Sequence, residues 1–376
     1  MKTRHGHIDK PLAFLIGILL IGGCMIFASA AFGLLARGAH GISSAVFNHL
    51  VLGVGLGSIA LLAMTAIDYR LWQRYAPYIF GIAIVLTLLV FIPHIGAEHG
   101  GGKRWIIIAH ASFQPSEALK IASIIIAAAY FSAIKKRVSM FTYGFGGLCA
   151  IVAFPALILL LQPDLGTLGV ICASVFAVFI SAGARWSHIL LVIGMAILAL
   201  LILATFKPYV RDRLETFIDP SRGQQTQSYQ VKQSLIAIGS GGITGRGLGQ
   251  GVQKFTYLPE AMGDSIFAVA GEELGFIGAA SIVLLFLAFA LRGYSIASNA
   301  PDLFGSFLAV GIATYLTSEA FINIASMLSV APLTGIPLTF ISQGGSAMLT
   351  SLASAGILLN ISRQRMQKRM NGVSHN

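Results

Sequence analysis

Residues 188–206, HILLVIGMAILALLILATF, decide the class of fold: the run carries no Asp, Glu, Lys or Arg and, as a helix, is long enough to cross the hydrocarbon of a bilayer. Working outward, further apolar runs of that kind fall near 12–35, 45–67, 78–95, 116–134, 141–161, 166–183, 265–291, 304–328 and 346–361. The composition agrees, since a chain of 376 residues with 56% hydrophobic residues, 10% charged residues and a mean hydropathy of +0.81 has too little polar surface for a water-soluble globule. The expected fold is an all-α integral membrane protein of ten transmembrane helices. It forms a single polytopic domain over 1–376, with a large extracellular loop at 207–264 between helices 7 and 8. The run 12–35 is long enough to span and lacks a convincing cleavage site, so it is expected to be retained and not removed as a signal peptide.

An even number of spans puts both termini on one side. Long loops are read weakly by the insertion machinery, so loop 207–264 is discounted; fourteen Lys and Arg then lie on the side of the termini and three, Arg37, Lys103 and Arg104, on the other. The termini are therefore expected in the cytoplasm and the long loop outside. Inner-leaflet anchoring explains part of the net charge of +11. It does not explain Lys207, Arg211, Arg213, Arg222, Lys232, Arg246 and Lys254, all in the outward loop, which fit a phosphate-bearing substrate approached from outside.

Within that loop, Gly239-Ser240-Gly241-Gly242-Ile243-Thr244-Gly245-Arg246-Gly247-Leu248-Gly249-Gln250-Gly251 matches neither the Walker A pattern nor the dinucleotide fingerprint. Alone it is as consistent with a folded surface loop as with a ligand site; Lys232, Arg246 and Lys254 beside it favour a cradle for pyrophosphate. Pro259-Glu260-Ala261-Met262-Gly263-Asp264 closes the loop. Asp264 reads equally as a helix cap or as a catalytic base, and Glu260, four residues earlier, shares its face if the segment is helical. Glu272 and Glu273 lie inside the next apolar run and are expected to pair with a neighbouring span, as is Glu319, four residues from Asn323.

The earlier outer loop holds Gly101-Gly102-Lys103-Arg104-Trp105 and Phe113-Gln114-Pro115-Ser116-Glu117, with Lys120 following in the span. Trp105 is either an interfacial anchor or, beside Lys103 and Arg104, a lip that stacks a sugar on indole and a phosphate on cations. Glu117 and Lys120, one turn apart, should neutralise each other, and Asp164 in Gln162-Pro163-Asp164-Leu165-Gly166-Thr167 is expected to cap a helix. Pro332-Leu333-Thr334-Gly335-Ile336-Pro337-Leu338 and Ser342-Gln343-Gly344-Gly345-Ser346 place non-helical backbone at membrane depth. That is tolerated only where the backbone is buried in protein or lines a cavity. Cys24, Cys149 and Cys172 sit in apolar runs as packing residues; His5 and His7 belong to the tail and the other histidines are scattered. Disulfide scaffolds, zinc centres, serine hydrolase elbows and nucleic-acid binding are all unsupported.

Taken in order, GGKRWI, FQPSEALK, QPDLGT, QSLIAIGSGGITGRGLGQGVQKFTYLPEAMGDSIFAVAGEELGFIG and PLTGIPLTFISQGGS resemble the SEDS family (shape, elongation, division and sporulation) of bacterial cell-wall proteins. The resemblance covers nearly the whole chain, and QKFTYLPEA is nearer the division-type FtsW wording than that of elongation-type RodA. It implies a ten-helix glycosyltransferase of the bacterial cytoplasmic membrane that polymerises lipid II outside that membrane, with a class B penicillin-binding protein as partner. It also implies Asp264 as the catalytic aspartate, Trp105 and Arg104 as functional positions, and Ser346 on the substrate-binding side. Ser265, Thr339 and Gln343 depart from the family's usual wording, where an aromatic, a proline and a tyrosine are expected. On this expectation Asp264 takes the acceptor 4-hydroxyl proton, while Lys232, Arg246, Lys254 and Arg104 hold the donor phosphates. A divalent cation, Mg or Mn, could share that load. Two rival readings are a lipid II transporter coupled through Glu273, Glu319 and Lys120, disfavoured by the absence of an internal repeat, and a non-catalytic scaffold for the cross-linking enzyme.

Overall fold

The computed structural model describes residues 8–35, 42–99, 102–108, 111–218 and 225–373. Arg37, Gly101, Arg222, His5 and His7, named above, lie outside them. The helices are α1 Lys10–Leu35, α2 Ile42–Phe47, α3 Leu56–Ala66, α4 Arg70–Leu88, α5 Pro115–Ile134, α6 Gly146–Leu161, α7 Leu165–Ser181, α8 Trp186–Phe206, α9 Pro208–Ile218, α10 Gln225–Ser240, α11 Gln253–Thr256, α12 Ile266–Ser298, α13 Leu303–Met327 and α14 Gly345–Val373. Among the described residues nine helices are long and apolar enough to cross a membrane, the second formed by α2, a wider turn at Asn48–Gly55, and α3. The remaining apolar helix, α7, has 17 residues, so one of the ten expected spans is shorter than the usual crossing length.

The bundle is concentric. The spans that include α14 and α13 are 83% and 72% buried and occupy the centre, whereas α8 is 6% buried and stands at the rim. That ordering follows composition. α13 and α14 carry Ser, Thr, Asn and Glu that need protein partners, while α8 is almost purely aliphatic and can face lipid on every side. Phe14, Leu62, Ile82, Leu157 and Leu190 likewise point outward. At the end of the bundle where α1 begins, Asp9 takes two hydrogen bonds from Arg292 (2.9 and 2.6 Å), and Asp302 accepts from Tyr69 (2.6 Å) and Arg70 (3.2 Å). These contacts clasp the start of α1 to the far part of α12, and the start of α4 to that of α13.

Three features mark the opposite end, and of these only the second was apparent in the sequence. Between α4 and α5 lies an antiparallel sheet, β1 Gly96–His99, β2 Gly102–Ile108 and β3 Ala111–Phe113, with Ala97 opposite Trp105 and Ile107 opposite Ser112. The chain from Leu333 to Ser342 runs without regular structure yet is largely buried, and Phe340 packs its carbonyl against Gly23 in the middle of α1. This places the backbone inside protein, the arrangement the Pro-Gly-rich wording demanded.

The third feature is a break in α12 at Gly275, whose φ of 65° and ψ of −166° only glycine adopts without strain. The glycine-rich loop stitches the break: Arg246 and Gly247 amides donate to the Glu272 and Glu273 carbonyls, and the Phe276 and Ile277 amides donate to Gly242 and Ile243. A broken helix leaves such groups unpaired at both cut ends, and this loop satisfies them. The segment 276–298 is by itself roughly 34 Å long at the α-helical rise, enough to span, so Glu272 and Glu273 sit at the rim of the bilayer and not at its middle.

Candidate active site

Asp264 ends the turn that precedes α12. That helix has Ser265 at its N-cap position, with no side-chain capping bond, so Asp264 is not its cap. The backbone is fixed instead: the Asp264 carbonyl accepts from Asn323 (2.8 Å), and Ser265 donates its amide to Glu260 (3.1 Å). The carboxylate itself takes no hydrogen bond among the described residues.

Two arginines and two acids surround it. Arg213, on α9, stacks over the Tyr209 ring at 4.2 Å and donates through Nη1 to the Thr334 carbonyl at 2.9 Å; its Nε is buried without a partner. Arg104, on β2, donates through Nε to the Gln162 carbonyl (3.1 Å) and through Nη2 to that of Pro163. Asp164 caps α7 by accepting from the Thr167 amide (3.2 Å) and hydroxyl (2.9 Å) and takes a further bond from Gln114 (3.3 Å), which confirms its expected structural role. Burial raises the Asp264 pKa to about 6 and Glu260 pushes the same way, while Arg213 and Arg104 pull it down. Burial also lowers the Arg213 pKa.

The structure divides the residues nominated from sequence. Asp264, Arg104 and Glu260 come together, and Arg213 joins them although sequence gave it no more weight than any other loop cation. β2 is bulged at Arg104, since Ala97 pairs with Trp105 and Glu98 with Lys103, so the usual alternation of faces is interrupted there; Lys103 is exposed, whereas Arg104 and Trp105 are half-buried and Arg104 bonds the α6–α7 turn. Ser346 is buried and its hydroxyl accepts from the Gln114 amide at 3.3 Å, a tie between α14 and the start of α5. Lys232 is exposed on α10.

Lys254 and Arg246 belong elsewhere. Lys254 is wholly buried, pairs with Glu273 and donates to the Ser29 hydroxyl (2.7 Å) and the Gly249 carbonyl (3.1 Å). Glu272 accepts from the amides of Val252 (2.8 Å) and Gln253 (3.1 Å) and lies 3.7 Å from Arg246. The acids of α12 are therefore answered chiefly by the loop and only by Ser29 from a neighbouring span, because the loop folds back along the helix it leads into. Lys120, by contrast, is buried between Glu117 at 2.8 Å and Glu319, as expected for a structural ion pair. No three His, Cys, Asp or Glu side chains converge as a metal cage among the described residues.

Fold and site together define a polytopic α-helical membrane protein with an acid and two arginines gathered where its loops converge. The chain belongs to the family of FtsW, RodA and SpoVE cell cycle proteins, whose family model it matches over residues 10–367. It is 38% identical over 366 residues to stage V sporulation protein E of Bacillus subtilis, covering 96% of this chain and 99% of that one. It is 40% identical over 317 residues to the probable peptidoglycan glycosyltransferase FtsW of Geobacter sulfurreducens, covering 84% and 83%. Among solved structures, it resembles a chain from a peptidoglycan synthase complex that coordinates polymerization and crosslinking (TM-score 0.77, 24% identity, 95% of this chain and 98% of that). It also resembles the rod shape determining protein RodA of Thermus thermophilus (TM-score 0.67, 24% identity, 95% and 97%).

Proposed function

We propose that this protein is a peptidoglycan glycan-strand polymerase that joins glycosyl units of lipid II at the outer face of the bacterial cytoplasmic membrane, during division or elongation. Both termini are then cytoplasmic, and a class B penicillin-binding protein cross-links the product. The observation that carries the reading is the Asp264 carboxylate, without a hydrogen bond among the described residues and under the charges of Arg213 and Arg104, at the loop-rich end of a membrane bundle.

The reaction joins the acceptor 4-hydroxyl oxygen to the donor anomeric carbon. The bond from that carbon to the diphosphate breaks, its electron pair leaves with the diphosphate, and the hydroxyl proton passes to Asp264. A carboxyl with a pKa of about 6 is ionised at neutral pH yet basic enough to accept a proton, a match to this task. Arg104, held at its root by two carbonyls, contributes positive charge toward the departing anion. Trp105 and Lys103, which flank Arg104 on β2, and the exposed Lys232 remain candidates for contacts with the sugar and peptide parts of the substrate.

Nothing in the site favours transport. Lys120, Glu319 and Glu273, the groups a transporter would use, are all engaged in buried ion pairs. The test is polymerisation of purified lipid II by the protein with its partner. Asp264→Asn should abolish glycan product while melting temperature and partner co-purification hold; full activity in that variant would remove Asp264 as the base. Lipid II flipping by the reconstituted protein without polymer formation would turn the reading to transport.

A further inference from the structure

We infer that Arg213, with Arg104, forms the subsite for the diphosphate of the polyprenyl-linked donor, and that the cations of the glycine loop do not. The inference rests on the polymerase reading above and assigns the leaving-group side of the site.

Arg213 has the features of an anion-binding group that its own fold leaves incomplete. The Tyr209 ring and the Thr334 carbonyl fix the plane of its guanidinium, yet Nε is buried with no acceptor among the described residues. A buried donor without a partner carries a desolvation penalty that a bound acceptor would remove. Asp264 does not fill the role, because no ion pair within 4.0 Å joins it to Arg213.

Gly335 lies between the two groups. A Cβ built there would stand 3.5 Å from Asp264 Oδ2 and 3.9 Å from Arg213 Nη2, and its φ of 71° favours glycine. The missing side chain leaves open the space that separates carboxylate from guanidinium, where an oxygen of a ligand can lie against both. Arg104 borders the same acid from the sheet side, and both arginines are anchored through backbone carbonyls, which orients donors without cancelling their charge. The glycine-loop cations lack this freedom: Lys254 is paired with Glu273, and Arg246 lies against Glu272.

The experiment is equilibrium binding of labelled undecaprenyl diphosphate to the full-length protein with its class B partner in nanodiscs, with undecaprenyl alcohol and inorganic pyrophosphate as competitors. Arg213→Ala should weaken diphosphate binding by about tenfold or more and raise the KM for lipid II, with alcohol binding unchanged. Arg213→Lys, which keeps the charge and guards against a folding defect in the alanine variant, should fall between. Arg246→Ala should bind as the parent does. Asp264→Asn should bind diphosphate at least as well, because it removes a facing negative charge. Parent-like diphosphate binding by folded Arg213→Ala and Arg213→Lys proteins would overturn the inference, as would pyrophosphate binding without binding of the lipid form. No bond is made or broken in this measurement, so its failure is separable from a failure of Asp264 as the base.

Discussion

At the scale of single residues, Asp264 and Arg213 set the pH behaviour. If Asp264 is the base, kcat for lipid II polymerisation should fall as pH drops through about 6, and Glu260→Gln should move that limb to lower pH by removing a neighbouring negative charge. An unmoved limb in Glu260→Gln would place the titrating group elsewhere. Stability should run the other way. A carboxyl raised from 3.8 to about 6 in the folded state contributes stability that is full below its unfolded value and lost as pH rises through the folded one. Asp264→Asn should therefore melt at a higher temperature than the parent at pH 7.5, with the difference vanishing near pH 4, as read by thermal unfolding in detergent. Asp264 could be singled out in the sequence, where its placement read equally as a helix cap or a base and only the family resemblance implied the base. Arg213 could not: seven loop cations looked alike, and only folding brings α9 to Thr334 and Gly335.

At the scale of elements, the broken helix α12 and the loop stitched to it behave as one unit. Gly275→Ala should unpick it, because a Cβ there would meet the Gly245 amide nitrogen at 2.2 Å and the backbone angles reject a side chain. We expect a fall in melting temperature together with loss of polymerisation, since Asp264 lies in the turn that leads directly into the same helix. Lys254→Met should be severe, about 3–5 kcal/mol, because it strands Glu273 as a lone buried charge; adding Glu273→Gln should recover part of that loss. Equal melting temperatures for the single and double variants would show that the pair is not a buried unit. Sequence supplied the glycines and the acids but not their pairing, because a run of hydrophobic residues from 265 to 291 reads as one unbroken helix. For the same reason Lys254 and Arg246 looked available for ligand when charge was viewed without partners.

For the whole molecule, hydrophobicity made the bundle legible, and loop length with cation bias gave an orientation open to direct measurement. In a variant with Cys24, Cys149 and Cys172 replaced, Lys232→Cys should react with a membrane-impermeant maleimide in intact cells from which any outer layer has been removed. Reaction only after permeabilisation would reverse the orientation and place Asp264 on the wrong side for extracellular polymerisation. The small sheet was illegible because Gly102–Ile108 lacks alternating polarity, so nothing in its pattern separates Arg104 from Trp105. The short α7 and the kinked α12 were likewise read as ordinary spans, since hydropathy reports where apolar residues lie but not where backbone hydrogen bonds are broken.

The stitched glycine loop also limits where a reporter can be attached. Residues 242–251 are mostly exposed and look like a natural insertion point, yet their main chain completes a membrane helix, so a fluorescent protein or epitope placed there should ruin the molecule. The connection between α7 and α8, where Gly183 and Arg185 are exposed and bonded only to their own turn, is the safer place for a tag.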